Sequence, residues 1–140
     1  MRLWHTDLIK YLPKSQLWLL AQWRELNSIY AKEDKHILIN FIYDNIYNID
    51  GKYDLWTYSL YVIAEMKNRG YKVKTKDKFE NYFVEFKNSF TFKYAYEPFK
   101  IHMNEEYLKI CCWNLYEKYI RGQEGFTDEA IKFIKKQIGV

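Results

Sequence analysis

Proline and glycine are scarce in this chain, with 2 and 5 among 140 residues. So few breakers point to long regular elements. Cysteine is scarcer still. Its two copies, Cys111 and Cys112, are neighbours. Adjacent cysteines make no disulfide framework, so a reducing compartment is expected. No uncharged apolar run is long enough to span a bilayer. The start shows neither a sustained apolar region nor a small-residue cleavage site. A cytoplasmic protein with no membrane partner is therefore expected. Metal-binding and nucleotide-binding patterns such as CxxC, HExxH, GxGxxG and the P-loop are missing. His5, His36 and His102 stand alone, without ligand spacing. No metal and no organic cofactor is expected, and no repeat or low-complexity segment divides the chain.

What is abundant is aromatic. Tyr, Phe and Trp number 14, 9 and 5, within a 49% hydrophobic composition. That is enough for one core, and a single domain over residues 1–140 is expected. Tyr and Trp also suit half-wet surfaces. A formal charge of +4 permits an anionic partner without requiring one.

The periodicity predicts a mainly α, compact single-domain helical fold. A short helix over "TDLIKYL" has Thr6 as N-cap and Pro13 as its stop. Ser15 caps a second helix to about Lys32, with Leu19, Trp23, Leu26 and Tyr30 on one stripe. "HILINFIYDNIY" is compatible with a strand or a buried helix. "NIDGKYD" reads as a turn. A helix then runs from Asp54 to Arg69, with Leu55, Tyr58, Val62 and Met66 inward and Gly70 at the C′ position. The stretch from Lys72 to Phe99 reads as a short helix and then β-like or irregular chain up to Pro98. Asn104 caps a clear helix with Glu105 and Glu106 in its first turn. Its apolar face is Leu108, Cys111, Cys112, Leu115 and Tyr119. "RGQEG" ends it, and Thr127 caps a last helix with Ile131, Ile134 and Ile138 inward.

Two polar features stand out. Arg24 and Glu25 are about 100° apart on their helix and flank its apolar stripe on opposite shoulders. Such a pair alone is ordinarily a solvated surface feature. The second feature is "MR" at the start. An α-amino group has a reference pKa of about 7.7–8.0, so an appreciable fraction is neutral near pH 7. A cation such as Arg2 lowers that value further. A neutral amine can attack a carbonyl or a sugar C1′ and form an imine. Arg2 is also too bulky for ordinary removal of the initiator, so Met1 is expected to stay. The plain alternative is a frayed terminus. The basic run "KVKTKDK" is equally a phosphate contact or a solvated turn.

Taken together, "MRLWHTDLIKYLP", "AQWREL" with "KH" following, "IAEMKNRGYKV" and "IHMNEEYLKICCWNLYEK" resemble the pyrimidine dimer DNA glycosylase family, the endonuclease V type known from phage T4. The likeness spans residues 1–120. It implies a helical fold resembling T4 endonuclease V, a monomer without cofactor, acting on duplex DNA with a damaged or abasic site. It implies a DNA repair glycosylase with associated apurinic/apyrimidinic lyase activity and base flipping. By position, the Met1 nitrogen is the nucleophile and Glu25 the acid/base, both catalytic. Arg2, Arg24, Lys35, His36 and Lys118 fall on DNA-binding positions.

The chain also departs from the phage pattern. Ser28 and Asn114 stand where the phage enzyme has basic residues, "ILINFIYDN" replaces a basic segment, and a capped helix replaces an aromatic, basic tail. These changes imply weaker DNA binding or a different lesion. The alternative function is a non-enzymatic nucleic-acid-binding or protein-interaction module that keeps the fold.

Overall fold

The computed structural model describes residues 2–44, 49–74, 76–86 and 97–140. Among them the chain is mainly helical, and no strand occurs. A 3-10 helix at Thr6–Tyr11 precedes α1 (Gln16–Lys32). A second 3-10 helix, Asn40–Tyr43, precedes α2 (Ile49–Asn68) and α3 (Lys76–Tyr82). A third, Val84–Phe86, is followed by α4 (Glu105–Ile120) and α5 (Asp128–Ile138).

The stripe Leu19, Trp23, Leu26 and Tyr30 is buried on α1 as expected. It belongs to one hydrophobic cluster with Leu55, Tyr58, Val62 and Met66, the inward face of α2. Helix α1 packs on both α2 and α3, and α4 packs on α5. The first 3-10 helix sits against α2 and α4. The same cluster extends from Leu3 to Ile134, so both ends of the chain share it.

The caps follow the chemistry of their side chains. Asn104 Oδ1 accepts from the Tyr107 N–H at 2.9 Å, and Thr127 Oγ1 accepts from the Ala130 N–H at 3.0 Å. After α2, the Tyr71 N–H reaches Met66 O and the Gly70 N–H reaches Lys67 O. Gly70 has φ +80°, the left-handed conformation this termination needs.

Several expectations are corrected. The first short helix is 3-10, and its cap is His5, whose ring accepts from the Asp7 N–H, rather than Thr6. Ser15 precedes α1 but makes no side-chain capping bond. Helix α2 begins at Ile49, so a helix replaces the turn expected after residue 48. Gly51 is the third residue of α2, so its cost to the helix, at most about 1 kcal/mol, falls in the first turn. Lys52 is also held by Glu85 at 2.6 Å. Within "HILINFIYDNIY" the described part is a turn and a 3-10 helix, neither strand nor α-helix. Tyr119 is exposed, at the edge of the α4 apolar face, and Ile131 and Ile138 are only half-buried. Residues 45–48 and most of the expected β-like stretch, 87–96, lie outside the described residues.

Candidate active site

The site begins with the segment Arg2–His5, which is neither helix nor strand and is hydrogen-bonded to α1. Buried backbone outside helix and sheet must find its hydrogen bonds elsewhere. Here side chains from three helices supply them. The Gln22 amide, 2% exposed, accepts from the Trp4 N–H at 3.0 Å and donates to Arg2 O at 3.0 Å. The Tyr58 hydroxyl meets Trp4 O at 2.7 Å and Gln22 Oε1 at 3.1 Å. Tyr107 donates to Leu3 O. Burial holds the pKa of both phenols above the ordinary tyrosine value, so they remain protonated donors. Leu3 itself is fully buried. His5 closes the segment, with its Nε2 paired to Met103 O at 3.0 Å and its Nδ1 accepting the Asp7 N–H. That arrangement suits a neutral imidazole, and burial lowers its pKa.

Gln22 is the residue that sequence reasoning passed over. Its signal was a polar residue at i−3 from Glu25, beside the apolar stripe. Gln22→Leu is expected to cost about 2–4 kcal/mol, because it strands a donor and an acceptor in a dry site. Urea unfolding monitored by tryptophan fluorescence checks this. A loss below about 1 kcal/mol would show that the segment is held elsewhere.

Glu25 is half-buried one turn further along α1. Its Oε2 accepts from the Arg2 N–H at 3.2 Å and from Gln22 Nε2 at 3.2 Å. Burial raises its pKa above the usual glutamate value, against the lowering pull of these two donors and of the His36 charge. The carboxyl is thus oriented by two neighbours yet remains easier to protonate than a surface glutamate.

Arg2, Trp4, Trp18, Ala21, Gln22, Glu25 and Lys118 line a cavity of about 330 Å³. Its walls combine one carboxylate, two cations and two indoles. The Arg2 guanidinium carbon lies 5.8 Å from the Trp4 ring centre and 5.9 Å from that of Tyr107. Lys118 Nζ lies 5.7 Å from the Trp18 ring centre. Arg2 Nη1 is buried and makes no hydrogen bond among the described residues.

Of the residues expected at the site, the structure therefore brings Arg2, Glu25 and Lys118 together. Arg24 is exposed on the neighbouring position of α1 and does not line the cavity. Lys35 and His36 are exposed on the loop after α1 and also stand outside the lining, although the His36 charge reaches Glu25. Met1 lies outside the described residues. The two positions that depart from the phage pattern are engaged internally. Ser28 Oγ donates to Asp34, and Asn114 Nδ2 donates to Ile110 O at 2.8 Å. Among the described residues no His, Cys, Asp or Glu group is arranged to hold a metal. No helix there is long and apolar enough to cross a membrane.

A helical protein with a carboxylate, cations and aromatic rings around one small cavity fits a class that processes a polyanion. The pyrimidine dimer DNA glycosylase family model matches residues 1–79, more than half of the chain, and the chain belongs to that family. The family is one of DNA glycosylases, which makes this an enzyme of DNA repair with DNA as its substrate. No curated protein and no solved structure matches the chain. Lys118 comes from α4, beyond the matched residues, yet it completes the same cavity.

Proposed function

We propose that the chain acts as one domain over residues 1–140, and as a monomer, on duplex DNA with a damaged or abasic site. It removes the base and then cuts the strand, with the Met1 amine as nucleophile and Glu25 as acid/base. The observation that carries this reading is the Arg2 N–H bond to Glu25 Oε2 at 3.2 Å. Backbone bonds of about 1.3–1.5 Å keep the Met1 nitrogen within about 3.7 Å of the Arg2 nitrogen. The amine therefore cannot be further than about 7 Å from that carboxylate oxygen, whatever its torsion. An amine at C1′ and a base acting at C2′ serve neighbouring carbons, so this closeness is what the chemistry needs.

The steps follow from those two groups. The amine lone pair forms the N–C1′ bond as the C1′–base bond breaks, and the base leaves with the electron pair and takes up a proton. The C1′–O4′ bond then opens, the nitrogen loses its proton, O4′ gains one, and an imine results. The Glu25 carboxylate removes a C2′ proton, and the C3′–O3′ bond breaks with departure of the phosphate. Arg2, Arg24, Lys35, His36 and Lys118 position the phosphates without reading sequence. A poorly stacked damaged base is easier to extrude.

The direct test is reduction during turnover. Borohydride added with abasic duplex should trap one covalent protein–DNA adduct. Binding without any trapped adduct would remove the imine and lyase chemistry and leave base release by another nucleophile. The cations also set a salt dependence. With about four phosphate contacts, from Arg2, Arg24, Lys35 and Lys118, the slope of log affinity against log salt should be about −3 to −4. Titrations at several salt concentrations measure it, and a flat response would remove DNA as the ligand of this surface.

A further inference from the structure

The apolar part of "HILINFIYD", residues 36–44, has no role in the proposed chemistry. Helix α1 stops about two turns beyond Glu25. Glu33, with φ +50°, then redirects the chain. The base of the following loop is closed at Asp34. Its carbonyl accepts from the Tyr43 hydroxyl and its carboxylate from Ser28 Oγ. At the tip, the Ile39 and Asn40 N–H groups both reach His36 O at 2.8 Å. The His36 N–H reaches Asn40 Oδ1 at 2.8 Å, and the Leu38 N–H reaches His36 Nδ1 at 3.1 Å. Ile39 and Ile42 are fully buried in the core. The turn is thus fixed by its own bonds and anchored from within. Ile37 is left outside at 85% exposure, the largest value for a big apolar side chain among the described residues. Its β-branched side chain is stiff at χ1. Lys32 and Lys35 beside it are exposed, whereas Glu33 and Asp34 take hydrogen bonds from Tyr82 and Ser28. The His36 charge bears on Glu25, so the tip stands on the side of the site.

We propose that Ile37 is a wedge that enters the base stack of duplex DNA at the damaged site and holds the gap open. This rests on the DNA glycosylase reading and adds a positioning residue to it. A nucleotide that leaves the stack exposes two base faces to water, and the flanking bases close together unless something separates them. An aliphatic side chain between them covers those faces and keeps them apart. Apolar wedges act in this way at unstacked base steps. The tip of this loop meets the requirements. It is apolar, it is held rigidly clear of the core, and it follows Lys35, which can hold the adjoining phosphates. Contact with phosphates alone would call for a cation at the tip, not an isoleucine. A damaged step is already poorly stacked and is cheaper to open, so the wedge acts most readily there.

The test uses duplexes with one tetrahydrofuran residue, an abasic analogue that forms no imine, and 2-aminopurine as its 5′ or its 3′ neighbour. Stacking on other bases quenches 2-aminopurine. Wild-type binding should raise its emission on one side, and that side identifies the step entered. Ile37→Ala should bind without the rise. Its affinity should fall by about tenfold to fiftyfold, the value of the carbon groups no longer buried. Ile37→Leu, which keeps those groups, should restore both signals. The contact is apolar, so the loss should be the same factor at every salt concentration, with the log–log slope unchanged. Val84→Ala, at an exposed apolar position on the third 3-10 helix, should change nothing. Equal emission from wild type and Ile37→Ala on both sides would overturn the wedge, whatever the affinity. So would a changed salt slope in Ile37→Ala, or an equal loss in Val84→Ala. Borohydride trapping of the wild-type protein on abasic duplex, read alongside, separates the two ideas. Trapping with no Ile37-dependent emission removes the wedge alone. An Ile37-dependent rise without trapping removes the imine chemistry and leaves the wedge standing.

Discussion

Glu25→Gln is expected to bind abasic duplex as tightly as the parent while strand cleavage falls by about 10²–10⁴-fold, the usual size of a general acid–base contribution. Glutamine keeps an oxygen for the Arg2 N–H that Glu25 Oε2 now accepts. It cannot take a proton from C2′. Binding is measured by fluorescence anisotropy at fixed salt, and cleavage by denaturing gel. Equal loss of both would mean that Glu25 holds the N-terminal segment rather than acting on the sugar. Unchanged cleavage would move the base elsewhere.

The same substitution has a signature in stability. Burial raises the Glu25 pKa in the folded protein. A carboxyl with a raised folded pKa binds its proton more tightly when folded. Its contribution to stability is therefore present below the unfolded value, about 4.3, and is lost as pH rises through the folded value. At neutral pH the ionised group is a liability. Glu25→Gln should melt higher than the parent at pH 7, with the gap narrowing as pH falls towards 4. Thermal unfolding across that range checks it, and a gap that widens on acidification would reverse the assignment. Activity runs the other way, since the carboxylate must be ionised to accept the C2′ proton.

How far this site was legible in the sequence depends on which forces set each part. The stripes on α1 and α2 were legible because burial repeats with the helical period, and Leu19, Trp23, Tyr58 and Met66 all lie inside. The caps at Asn104 and Thr127 were legible because the side chain satisfies a neighbouring N–H. The start of α2 was not, since Gly51 and Asp50 look like a turn locally while the helix is secured from a distance through Lys52 and Glu85. Within the site, Arg2, Glu25 and Lys118 were readable by resemblance. Gln22, Trp4 and Trp18 were not singled out, because each joins the site through contacts 14 or more positions away or across helices. Nothing in a linear pattern marks a buried amide that clamps two backbone groups 18 and 20 residues distant.

The largest effect should come from the terminus itself. Acetylation of the Met1 amine should abolish both base release and strand cleavage, beyond the loss caused by Glu25→Gln, because an amide lone pair is delocalised into the carbonyl and is no nucleophile. Extension by two residues should act in the same direction, since each residue carries the amine up to about 3.3–3.6 Å further along the chain. In the free protein the amine is useful only when neutral. Its reference pKa is about 7.7–8.0; the Arg2 cation favours the neutral form and the Glu25 carboxylate the protonated one. Single-turnover rates should therefore climb with pH through the amine pKa and fall on acidification, as protonation withdraws the lone pair. Adduct formation with borohydride, followed by mass mapping of the tryptic peptides, locates the bond. The adduct should map to the peptide that begins at Met1 and vanish on acetylation of that amine. Lys118, which shares the cavity with Glu25, is the internal amine best placed to replace it. An adduct on Lys118, lost in Lys118→Gln and retained in the terminally acetylated protein, would keep the lyase chemistry while transferring the nucleophile from the terminus to α4.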